Sequence, residues 1–161
     1  MNNFDIYVDS SANLPDDLRI KNDIHMISYR ITVNGKERLC FEETRPFTDS
    51  AKAFYAEVRA GADVKSSLVS EDNFIEAVTP SLQNGKDVLI LTIASGISGT
   101  HQQALKAQAA LKEKFPERTV VVRDSSNASM GEGLLALKVA ALREAGESLE
   151  SCVNWLNENT Y

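Results

Sequence analysis

At 161 residues, with 17 Lys and Arg against 23 Asp and Glu, the chain carries a net charge of −6 and has the length for one buried core. That balance, with no basic run, argues against a nucleic-acid surface. No apolar stretch reaches the roughly 20 residues a membrane-spanning helix requires, and residues 1–5 carry neither a basic region nor an apolar signal core, so a cytoplasmic protein is expected.

Residues 4–8 read as a short strand that ends at Asp9, Ser10 and Ser11. Residues 14–18 make a brief helical turn, with Pro15 and two acids near its start. An apolar run over 24–28 leads into extended residues 29–33, and Asn34-Gly35 separates these from 36–40. Asn-Gly between two extended runs predicts a β-hairpin over 29–40. Thr48, Asp49 and Ser50 are placed to cap a helix over 51–60, closed by Gly61. Ser66 and Ser67 read as loop, and residues 70–73 open a helix over 74–82 closed by Asn84-Gly85. The apolar run 87–93 is a strand, 99–114 a helix stopped by Phe115-Pro116, and 119–122 a β-branched strand buried on both faces. Helices follow over about 130–145, ending at Gly146, and over 149–157, capped by Ser148.

Strands alternating with helices predict an α/β fold: a mostly parallel sheet flanked by helices, with the hairpin, in one domain over 1–161. Ligands of such sheets bind beyond the carboxyl ends of the strands. Three predicted strands end in hydroxyl-rich turns, at Asp9-Ser10-Ser11, at residues 95–100, and at Asp124-Ser125-Ser126. Right-handed crossovers bring these turns to one edge. The turn Ser95-Gly96-Ile97-Ser98-Gly99-Thr100 is the most informative. It joins a strand to a helix, so its N–H groups and the helix's positive end face whatever binds there, with the hydroxyls of Ser95, Ser98 and Thr100 at hand. An anion site and a set of helix caps both fit that pattern.

Other chemistry finds little support. Ser98 follows Gly96, but Gly99 comes immediately after, so the nucleophile-elbow spacing G-x-S-x-G fails. His101 lies three residues on and reads as an exposed first-turn side chain. No phosphate-loop motif exists, and Gly131-Glu132-Gly133 lacks the third glycine of a dinucleotide fingerprint, so no nucleotide cofactor is expected. Asp9 and Asp124 each close a strand before a serine. Local turn bonding is favoured over an acid/base pair or a Mg²⁺ site. Cys40, Cys152, His25 and His101 have no metal-ligand spacing, so no metal is expected and both thiols should be free.

At this point the sequence resembles the DegV family of bacterial fatty-acid-binding proteins. Residues 8–15, VDSSANLP, are similar to the family's TDS-x-x-DLP opening. Residues 64–70, VKSSLVS, stand where TSQPS is usual. Residues 94–104, ASGISGTHQQA, resemble SSxLSGTYQSA, and residues 124–133, DSSNASMGEG, resemble D-[ST]-x-x-x-SMGxG. The resemblance implies a carrier rather than an enzyme. It would hold one long-chain fatty acid and present its carboxylate to a fatty-acid kinase subunit for phospholipid synthesis. It also implies that Ser66 and Ser95 bind the carboxylate. Backbone donors at Ser98, Gly99 and Thr100 would assist, and Asp9, Ser10, Ser67, Ser125 and Ser126 would line the same edge. The chain departs from the pattern at Leu68, Val69, Ala94 and His101, which thins the polar set around the head group.

The resemblance implies a second α/β domain that covers the acyl chain in full family members, so 1–161 is expected to correspond to the N-terminal domain alone. The expectation is weak fatty-acid binding, or binding through a homodimer that covers the apolar surface. A phosphotransfer-related enzyme using His101 and a ligand-free interaction domain are the alternatives from other classes.

Overall fold

The computed structural model describes residues 4–42 and 46–160. Four strands make the main sheet: β1 (Phe4–Asp9), β2 (Ile24–Ile27), β6 (Asp87–Thr92) and β7 (Val120–Asp124), in the order β2-β1-β6-β7 and all parallel. Their apolar runs do not alternate because both faces are covered. On one side, Ile6, Val8, Leu89 and Leu91 pack against α5 (Met130–Glu144) and α6 (Leu149–Asn159) through Ala136, Val139 and Leu156. On the other, Tyr7, Val88, Ile90 and Val122 meet α3 (Glu71–Gln83) and α4 (Thr100–Lys114) through Phe74, Val78 and Leu111.

A second sheet is separate and antiparallel. It contains β3 (Arg30–Val33), β4 (Lys36–Leu39) and β5 (Val64–Ser66), in the order β4-β3-β5. The predicted hairpin is its core. Asn34 and Gly35 both have positive φ, 49° and 79°, as a two-residue turn matched to strand twist requires. The third strand corrects the sequence reading, in which Ser66 lay in a loop. β5 is three residues long, exposed at Lys65 and Ser66, and is held by pairing with β3 rather than by any apolar pattern of its own.

The helix α2 (Phe47–Arg59) also differs from expectation. It starts at Phe47, so Thr48, Asp49 and Ser50 lie in its first turn instead of capping it. Pro46 occupies the cap position with no side-chain acceptor to offer. The acceptor comes from elsewhere: Phe47 N–H donates to Asp16 Oδ2 at 2.6 Å, from α1 (Asp16–Lys21). Serines do cap where predicted at Ser70 and Ser148, accepting from Asn73 N–H and Ser151 N–H.

At the amino ends of the strands a buried polar network closes the sheet. Asp5 accepts from Lys86 Nζ and from Ser81 Oγ, each at 2.7 Å, and Ser81 Oγ lies 2.7 Å from the Tyr7 hydroxyl. Burial pulls the Asp5 pKa up, but the bonds from Lys86 and Ser81 outweigh it and hold the carboxyl below its usual value.

Candidate carboxylate site at the strand ends

Parallel pairing places Asp9, Thr92 and Asp124 at one edge of the main sheet, as the topology argument required. The two aspartates tie their own turns. Asp9 Oδ1 accepts Ser11 N–H at 2.9 Å, and Asp124 Oδ1 accepts Ser126 N–H at 2.8 Å. Each also reaches across to the loop after β6. Asp9 Oδ2 takes Ile93 N–H at 2.8 Å, and Asp124 takes Ser95 N–H at 3.2 Å. The 93–100 loop is thus held between two carboxylates. Burial raises the Asp124 pKa, but hydrogen bonds from Ser95 and Ser126 outweigh it and keep the group ionised.

The residues expected to line the edge divide by burial. Ser66, Ser67, Ser95, Gly99 and Ser126 are exposed, and Ser98 is half-buried. Asp9, Ser10, Thr100 and Ser125 are turned inward. Ser10 Oγ accepts Tyr29 N–H, Ser125 Oγ bonds the backbone of Asn127, and Thr100 Oγ1 accepts Val69 N–H at 3.4 Å. These four are posts that fix the loops. The turn's own donors are also partly used: Ser98 N–H goes to Ala94 O and Thr100 N–H to Ser98 Oγ.

The stretch after β5 folds back onto that turn. Ser67 N–H and Oγ both donate to Arg30 O, and a methyl on Gly99 would stand 3.2 Å from Leu68 Cδ2. Together with the Val69–Thr100 bond, this brings the segment after β5, which ends at Ser66, alongside the loop carrying Ser95. His101 Nδ1 pairs with Thr92 Oγ1 at 3.0 Å, and Ser98 pairs with Thr100, so serine and histidine do not form a nucleophile–base pair.

A cleft of about 350 Å³ opens between the small sheet and α2. Tyr29, Ile31, Leu39, Phe47 and Phe54 supply its apolar wall, and Asn13 and Ser129 stand at its rim. Ser66, Ile31 and Arg38 are cross-strand neighbours, so their side chains share one face of the small sheet. Arg38 reaches Glu57 on α2 at 2.7 Å, so this is the face that α2 covers. Ser66 stands on that face next to Ile31, which lines the cleft, and is not itself a lining residue. A larger depression of about 840 Å³ lies at the opposite end of the sheet, among Asp87, Glu144, Glu147 and Glu150, and suits an anion poorly.

Two groups went unnoticed in the sequence. Ser129 holds φ 56° and ψ −136°, a conformation rare outside glycine, and receives the Asn13 side-chain amide at 3.0 Å. Glu132, read only as the middle of a failed glycine motif, is completely buried. Its Oε2 lies 3.0 Å from Ser11 Oγ, while Oε1 has no partner. Burial, and then the nearby charge of Asp9, push its pKa from 4.5 up to about 9.

A sequence model described as an uncharacterised protein of the DegV family matches residues 3–160. The chain belongs to the DegV family. A DegV domain-containing protein of Clostridium perfringens is 30% identical over 161 residues, covering 99% of this chain and 54% of that one. Among solved structures, a DegV family protein from Thermus thermophilus, described by its fatty-acid binding, is 29% identical with a TM-score of 0.80. The match covers 97% of this chain and 52% of that one. DegV of Bacillus subtilis, described as a fatty acid binding protein, is 27% identical with a TM-score of 0.78, covering 97% and 53%. This DegV chain spans about half the length of the curated relatives it matches. Among its described residues no helix is long and apolar enough to cross a membrane, and no group of His, Cys, Asp and Glu is arranged to hold a metal ion.

Proposed function

We propose that this DegV chain binds a long-chain fatty acid, with the carboxylate at Ser66 and Ser95 and the first part of the tail in the cleft between the small sheet and α2. One observation carries the reading. Ser66, exposed at the end of β5, pairs across the small sheet with Ile31 of the cleft wall, and the segment that follows it packs through Leu68 and Val69 against the turn that follows Ser95. At about 350 Å³ the cleft sits at the small end of the roughly 300–1,000 Å³ range of organic-ligand pockets. Hydroxyls suit a carboxylate, because hydrogen bonds to a charged acceptor are the stronger kind. Fatty-acid binding by the Thermus and Bacillus relatives supports the same ligand class.

A buried tail contributes about 0.8 kcal/mol per CH₂. The cleft shelters part of a long chain, so modest affinity is expected of these residues alone, and a homodimer is one way to cover the rest. The bound carboxylate, held at the surface, would be presented to a fatty-acid kinase subunit. The test is palmitate titration by calorimetry, with mass spectrometry of lipid extracted from the purified protein. Ser66→Ala and Ser95→Ala should each weaken binding about tenfold or more, as loss of a charge-assisted hydrogen bond predicts, and leave the melting temperature unchanged. Palmitate affinity untouched by both substitutions would overturn the assignment.

A further inference from the structure

We propose that Glu132 is carried as a neutral carboxylic acid whose proton latches the 93–100 loop in place, which makes Glu132 a positioning residue for the candidate site. One hydroxyl proton has to serve two carboxyl contacts. Ser11 Oγ is in hydrogen-bond contact with both Asp9 Oδ1 and Glu132 Oε2. A hydroxyl has one proton to donate. Ser11 can satisfy one carboxyl, so the other contact needs a proton on the carboxyl itself.

The surroundings decide which carboxyl holds it. Burial raises the Asp9 pKa too, but Asp9 accepts two backbone donors, Ser11 N–H at 2.9 Å and Ile93 N–H at 2.8 Å, which favour its ionised form over that of Glu132. Glu132 has the Ser11 contact, a lesser backbone contact from Asp9 and an Oε1 with no hydrogen bond, in a site closed to water, where burial and the Asp9 charge outweigh those bonds and favour its neutral form. The order is therefore Glu132 O–H to Ser11 Oγ, and Ser11 O–H to Asp9 Oδ1. Asp9 in turn holds Ile93, at the start of the loop that carries Ser95.

The ionisable groups around this chain are Asp9 on β1, Tyr29 before β3 and Cys40 after β4. Burial raises the Tyr29 and Cys40 pKa values and keeps both neutral. Among the described residues no Lys, Arg or His forms an ion pair with Asp9 or Glu132. Nothing there offsets a second negative charge. Loss of the Glu132 proton sets two anions on either side of one hydroxyl. It weakens the Asp9 hold on Ile93 and adds negative charge to the edge proposed to bind a carboxylate. The loop part of this inference stands on the structure; the ligand part rests on the fatty-acid reading.

The experiment is an NMR pH titration of the isotope-labelled chain without ligand, following the Glu132 side-chain carboxyl carbon and the Ile93 and Ser95 amides. Palmitate binding is measured on both sides of the transition, for wild type and Glu132→Gln. The carboxyl carbon and the Ile93 amide should titrate together, well above the ordinary glutamate range. Wild-type affinity should drop about tenfold across the step, and Glu132→Gln, whose amide also donates to Ser11, should bind equally on both sides.

A Glu132 carbon that titrates at ordinary glutamate pH overturns the latch. An Ile93 amide silent through the Glu132 step overturns it too. Both readouts use wild type, so they stand even where the variant folds poorly. Coupled titration without any palmitate binding leaves the latch standing and removes the fatty-acid reading. Palmitate affinity that ignores the step overturns the ligand part.

Discussion

Replacing Glu132 with Gln should alter stability by an amount that grows with pH. The carboxyl is fully buried, and its pKa rises from 4.5 in the unfolded chain to about 9 in the fold. Between those values the unfolded chain is ionised at Glu132 and the folded protein is not, so folding takes up a proton. Stability is fully present below the unfolded value and is lost as pH rises toward the folded one, by about 1.4 kcal/mol per pH unit. From about pH 5 to about pH 8 the loss reaches about 4 kcal/mol. The variant has no proton to take up and escapes this slope. Its extra amide N–H lacks a visible acceptor, a fixed cost of about 1–3 kcal/mol that shifts its curve without tilting it. Urea unfolding of both proteins across that range, at constant ionic strength, measures the difference directly. Wild type should hold its best relative position at the acid end and fall behind at the alkaline end. Every other titrating group is common to the two proteins, so parallel curves would refute a neutral buried acid at this position.

Asp5→Asn should cost about 1–2 kcal/mol near neutral pH, a modest figure because Lys86 is part-exposed. The Asp5 pKa is lowered, so its contribution is present above 3.8 and lost as pH falls below it; acid denaturation curves of wild type and variant should converge there. Gly133→Ala should destabilise by about 1–3 kcal/mol although alanine favours helix, because the new methyl meets the Ala12 carbonyl at 3.0 Å and Leu14 at 3.1 Å, both buried. Gly99→Ala faces the part-exposed Leu68 side chain, which can turn away, and thermal melts should show it close to wild type. Leu89→Ala removes a fully buried central-strand side chain and should cost about 2–5 kcal/mol by chemical denaturation.

The main sheet was readable because residues 88–91 and 120–122 are apolar without alternation, short and partly β-branched, as strands covered on both faces are. The convergence of three strand ends followed from parallel topology alone. What escaped depended on partners far along the chain. β5 is a strand because β3 accepts it, and α2 starts at Phe47 because Asp16, 31 residues earlier, supplies the cap. Burial of Glu132 needed Ser11, 121 residues away, and nothing in Gly131-Glu132-Gly133 announces it. Ser95, Ser98 and Thr100 were visible as hydroxyls after a strand, whereas Ser66 read as loop and was singled out only by the family resemblance. Sequence spacing had no means to separate the exposed Ser66 and Ser95 from the buried Ser10 and Ser125.

The small sheet and α2 belong to one insertion between β2 and α3. None of the α2 side chains is fully buried, and bonds such as Tyr29 N–H to Ser10 Oγ and Val69 N–H to Thr100 Oγ1 fasten the insertion to the body. Segments built this way exchange their amide hydrogens through local openings that cost far less than global unfolding. The α2 side of the cleft wall is therefore expected to lift at less cost than the strands of the main sheet. On the fatty-acid reading, a ligand longer than the resting cleft would enter by a motion that leaves the parallel sheet intact.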